Sequence, residues 1–73
     1  MLSTKVAETR IEGVAIISTV LLPPNMSYGN PYETMVFTDD DSLIFDSRTD
    51  TLTDAMMTHI DAIAYVIKET HGL

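Results

Sequence analysis

The chain has 73 residues, no cysteine, and eleven acids against four bases, a formal net charge of −7. That length suits one domain with a modest core, burying about 60–65% of its unfolded surface, and without cysteine no disulfide or thiolate zinc site can reinforce it. The acid excess argues against direct nucleic-acid binding, which Lys and Arg drive by releasing counterions. It suits either a basic protein partner or plain solubility.

An apolar fraction of 45% is that of a folded chain and too high for a disordered one. The most apolar run, GVAIISTVLLPP at 13–24, is interrupted by Ser18 and Thr19 and stopped by two prolines. It falls short of the ~18 residues that suggest a membrane span. The opening MLSTKVAETR lacks the apolar stretch of a signal peptide,. The expectation is a cytoplasmic protein without membrane contact.

In chain order, residues 5–11 (KVAETRI) read as a strand with Ala7, Thr9 and Ile11 on one face. Glu12-Gly13 marks a turn, since glycine tolerates the positive φ that tight hairpins need. Residues 14–22 (VAIISTVLL) are rich in β-branched side chains and read as a second strand. Its Val14, Ile16, Val20 and Leu22 share one face, and Ala15, Ile17 and Leu21 the other. A strand apolar on both faces is covered on both. Pro23-Pro24 ends it, and a loop of turn residues follows. Residues 32–38 alternate, with Glu33, Met35 and Phe37 against Tyr32, Thr34 and Val36. Asp39-Asp40-Asp41-Ser42 makes a turn, 43–46 (LIFD) a short last strand, and SRTDT leads into a helix.

Thr51 with Asp54 three positions on resembles a capping box, and an acid there complements the helix dipole. Leu52, Ala55, Met56, Ile60, Ile63, Val66 and Ile67 recur at helical spacing, with Asp54, Thr58, Asp61, Lys68 and Glu69 opposite,. Gly72 stands where a C-terminal cap belongs. The predicted fold is α+β over residues 1–73: a four-stranded antiparallel β-meander, then one C-terminal α-helix packed on one face. One helix covers one face only, so the second face of strand 14–22 points to a homodimer.

No catalytic constellation emerges, and the chain reads as a non-enzyme with no cofactor. His59 falls within the helix's apolar stripe, as a hydrogen-bonded histidine at a sheet–helix seam would, and no nucleophile or orienting acid accompanies it. His71 and His59 lack convincing metal spacing. Counted from Asp39, an EF-hand would need glycine at position six and glutamate at twelve, where Ile44 and Asp50 stand,. The glycines are isolated, so no phosphate loop is present. Candidate partner contacts are Asp39, Asp40 and Asp41, with Tyr32, Glu33 and Tyr65. Tyr28 and Tyr65 join Tyr32 because tyrosine is enriched in interfaces, and Tyr65 falls on the helix's polar side.

Val6-Ala7 with Thr9, Ser18-Thr19-Val20, Glu33-Thr34-Met35-Val36-Phe37, Arg48, Ala55 and His59 together carry a resemblance. They are similar, in order and across residues 6 to 67, to a family of short bacteriophage and prophage proteins with VSTVWLG and FETMVF-like motifs. Leu21 stands where that family has tryptophan, and Pro23-Pro24-Asn25 replaces its D-H pair. The resemblance implies a viral accessory protein in a bacterial cytoplasm. Its expected role is inhibition of a host defence or nucleic-acid-handling protein, of anti-CRISPR or anti-restriction type, through a basic surface on that host protein. The alternatives are an oligomer that sequesters a nucleotide-like ligand, with Arg10, Arg48 and His59 as anchors, or a structural or replication accessory of the phage.

Overall fold

The structure, a computed structural model, describes residues 3–27 and 29–71. Four strands, β1 (Thr4–Ile11), β2 (Ala15–Leu21), β3 (Tyr32–Thr38) and β4 (Leu43–Thr49), form one antiparallel sheet in the order β1-β2-β3-β4. A single helical turn, α1 (Pro24–Ser27), lies between β2 and β3, and the long helix α2 (Leu52–His71) follows β4. This is the predicted α+β meander with its helix on one face.

Each connection has a local cause. Gly13 adopts φ 73° at the β1–β2 turn, and Val14 N donates to Ile11 O at 2.9 Å. Thr51 caps α2: its Oγ1 accepts from Asp54 N at 3.1 Å, satisfying one of the backbone donors that a helix start leaves open. The expected cap at Gly72 lies outside the described residues.

Register sorts the side chains into two faces. The rows Thr9–Ile17–Val36–Phe45 and Ala7–Thr19–Thr34–Ser47 lie under α2. The rows Arg10–Ile16–Phe37–Leu43, Glu8–Ser18–Met35–Asp46 and Lys5–Val20–Glu33–Arg48 lie on the open face. Both edge strands carry a bulge, between Lys5 and Ala7 in β1 and at the Val36/Phe37 register shift against β4. Extra residues there kink an edge and blunt it as a template for further strands.

Two expectations need correcting. The last strand extends three residues past Asp46, because Ser47, Arg48 and Thr49 pair with Thr34, Glu33 and Tyr32. A polar SRT segment has the look of a loop until a full-length neighbour supplies its hydrogen bonds. The helical stripe, secondly, is wider than the sheet can cover. The buried line of α2 is Ala55, His59, Ala62 and Val66, while Leu52, Ile60 and Ile67 are exposed. Small alanines bring the helix down onto the sheet, where Ala62 and Val66 join Ala15, Ile17 and Val36 in one core cluster.

Candidate functional site

The chemically richest point is the seam beneath α2. His59 Nε2 lies 2.9 Å from Thr9 Oγ1, and its Nδ1 lies 2.8 Å from Thr19 Oγ1. Thr19 Oγ1 lies in turn 2.8 Å from Thr34 Oγ1. Three strands therefore each contribute one hydroxyl to a chain, Thr9–His59–Thr19–Thr34, that passes through the helix histidine. His59 is only 5% exposed, and burial pushes its pKa down, because a low-dielectric setting disfavours the imidazolium. Both ring nitrogens are occupied and the ring is out of reach of solvent. His59 is thus the hydrogen-bonded seam histidine that the helical stripe implied. Thr9, Thr19, Thr34 and His59 come one each from β1, β2, β3 and α2. Segments far apart in sequence meet here because they build the fold's polar seam.

The acidic turn lies at the end of the β3–β4 hairpin, and its three aspartates have different jobs. Asp40, itself exposed, is tied into the turn: its carboxylate accepts from Thr38 Oγ1 and from Ser42 N at 3.3 Å. These bonds to Thr38 and Ser42 hold its pKa below the usual range, since they favour the charged form. Asp41 takes the left-handed conformation, φ 66°, which Asp and Asn tolerate better than other side chains. Asp39 and Asp41 are the exposed charges of the turn with no such tie.

The other sequence-derived candidates are scattered. Tyr32 and Glu33 stand at the opposite end of β3 from the turn, roughly 20 Å away at strand rise, and on opposite faces of the sheet. Tyr65 packs its ring against Phe45 of β4, centroids 6.1 Å apart, so core packing does account for part of it. Tyr28 and the side chain of His71 lie outside the described residues. Arg10 and Arg48 occupy opposite edge strands on the open face, with His59 beneath the other face. The three do not form one anion site. Arg10 and Lys5 both pair with Glu8, at 3.4 and 2.7 Å, and Arg48 donates to Met26 O at 3.1 Å.

A feature that sequence reading missed is the Glu33–Asp46 pair on the open face. The hydrogen bond that a protonated Glu33 donates to the Asp46 carboxylate, then burial, then like charge raise the Glu33 pKa, and Arg48 opposes them,. With β4 ended at Asp46, the diagonal between the two acids was not visible. A cleft of about 230 Å³, lined by Arg10, Glu12, Gly13, Asp39 and the apolar Ile11, Ala15 and Ile16, opens between the two hairpin turns. Small-molecule sites usually start near ~300 Å³ and enclose their ligand. Among the described residues, no three His, Asp or Glu side chains stand together as a metal site, and no helix is long and apolar enough to cross a membrane.

No family model matches this chain, and neither a curated protein nor a solved structure matches it.

Proposed function

We propose that this protein acts by binding, without chemistry of its own, and that the β3–β4 turn presents its acidic charge to a basic surface on another protein. The observation that carries the reading is the division of labour in the turn. Asp40 holds the loop in shape through Thr38 and Ser42, so Asp39 and Asp41 are displayed from a braced hairpin. A preorganised charge loses less ordering entropy on binding than one on a free loop. The net charge of −7 adds long-range attraction toward a basic partner and repulsion from nucleic acid. The resemblance to bacteriophage proteins suggests where such a partner is found: a host defence or nucleic-acid-handling protein in the bacterial cytoplasm, of the type blocked by anti-CRISPR or anti-restriction proteins.

The experiment is capture from a bacterial host lysate, followed by titration of the recovered protein with wild type and with Asp39→Asn/Asp41→Asn. Asp40 is left in place so that the turn keeps its brace. The double variant should fold as wild type, bind more weakly, and lose part of the salt dependence, because screened charge attraction is what it removes. Equal affinity and equal salt slope for both proteins would end the proposal.

A further inference from the structure

Three well-exposed apolar side chains of α2 fall on its outer side, while Leu52, also exposed, opens the helix away from that line. Met57 is 58% exposed, Ile60 64% and Ile67 48%, and Ala64 is exposed between them. Residues 57, 60, 64 and 67 follow the alternating three- and four-residue spacing of a coiled-coil seam. At 100° per residue, their mean direction is about 150° away from the Ala55–His59–Ala62–Val66 line that contacts the sheet. On the open sheet face, by contrast, Ile16, Val20, Met35 and Phe37 are already half-buried among their neighbours, and Leu43 is exposed at the start of the edge strand β4. The helix, more than the sheet, lacks a cover.

We infer that two copies of this chain pair through α2, antiparallel, along the Met57–Ile60–Ala64–Ile67 seam. Self-pairing is favoured by size and by charge. In the antiparallel register Met57 meets the second copy's Ile67 and Ile60 meets its Ala64, so a large side chain faces a small one, as interdigitating layers require. The charged flank of the seam carries Asp54, Asp61 and Lys68 at seven-residue intervals. Antiparallel pairing sets Asp54 opposite Lys68 of the second copy, and this occurs twice by symmetry, while Asp61 approaches its own copy once. A parallel pair would instead set this charged flank against the uncharged Met56, Ile63 and Thr70 flank of the second copy, so no complementary contact would form,. The other flank, Met56, Ile63 and Thr70, carries no charge to repel. The product is a sheet–helix–helix–sheet sandwich that leaves both acidic turns free.

Sedimentation equilibrium on wild type and four variants tests this, with circular dichroism to confirm the fold. Wild type should self-associate as a dimer below about 1 mM, and Ile60→Glu should weaken the dimer at least about tenfold, as a charge does at the centre of an apolar interface. Asp54→Lys and Lys68→Glu should each weaken it. The double variant Asp54→Lys/Lys68→Glu, which keeps the net charge, should return to within about threefold of wild type if each pair contributes the ~0.2–1 kcal/mol of exposed ion pairs. Three results would overturn the inference. One is a wild-type monomer throughout that range. The second is an Ile60→Glu variant that associates as wild type does. The third is a double variant no tighter than the weaker single one, since only antiparallel self-pairing restores both contacts.

Discussion

On the helix-covered face of the sheet, Ile17 and Val36 are fully buried and the threonines of the adjoining row reach His59. Across the same strands, Ile16, Val20, Met35 and Phe37 are half-buried within a ring of charges from Lys5, Glu8, Arg10, Glu33, Asp46 and Arg48. The polar groups differ as sharply as the apolar ones. Beneath α2 each hydroxyl of the His59 chain has a partner, whereas on the open face two carboxyl groups crowd each other at Glu33 and Asp46. One face holds the fold together, and the other tolerates friction because water is close enough to relieve it.

Truncating a core side chain should cost far more on the helix-covered face than on the open one. Ile17→Ala should lower stability by about 2–5 kcal/mol in urea unfolding, through lost transfer energy and an unfilled cavity. Met35→Ala, on the same sheet, should cost less than half of that, because its side chain is partly solvated in the folded protein. Next in size is the seam. Thr19→Val keeps the shape but strands His59 Nδ1 and the Thr34 hydroxyl, which should cost about 1–3 kcal/mol. Thr19→Ser should recover most of it.

A smaller effect follows from pH. The folded His59 pKa lies below its unfolded value near 6.5, so between the two the unfolded chain binds more protons. The His59 contribution is therefore fully present above about pH 6.5 and is lost as pH falls toward the folded pKa. A melting curve series from pH 7.5 to about 5 should show this decline, and His59→Gln should remove it after the general acid dependence of the carboxylates is subtracted using a pH-matched control. The smallest change is expected at Glu33, whose folded pKa is raised. There the native state holds the extra proton, so stability falls as pH rises through that window and the penalty is complete above it. Glu33→Gln should accordingly stabilise the protein at neutral pH by no more than about 0.5 kcal/mol, with the gain vanishing in acid. A loss at pH 7 would mean that the carboxylate is anchored by Arg48 rather than strained by Asp46.

The chain itself, through local physics, determined the element order: a β-branched run for β2, glycine at the first turn, a threonine cap and helical spacing for α2. Alternation also told which residues of β3 share a face, and helical spacing placed His59 inside the seam. Other features depended on partners distant in sequence. The polar end of β4 became strand because β3 offered it unpaired backbone groups, which no propensity of Ser47, Arg48 or Thr49 announces. Only packing divided the broad apolar stripe of α2 into a buried line and an exposed seam, because a flat sheet touches a cylinder along one line and the small Ala55 and Ala62 settle closest. In the same way, the run of three aspartates reads as uniform charge. Folding made Asp40 a brace and left Asp39 and Asp41 outward, since a tight turn brings only one carboxylate within reach of the Thr38 hydroxyl and the Ser42 amide.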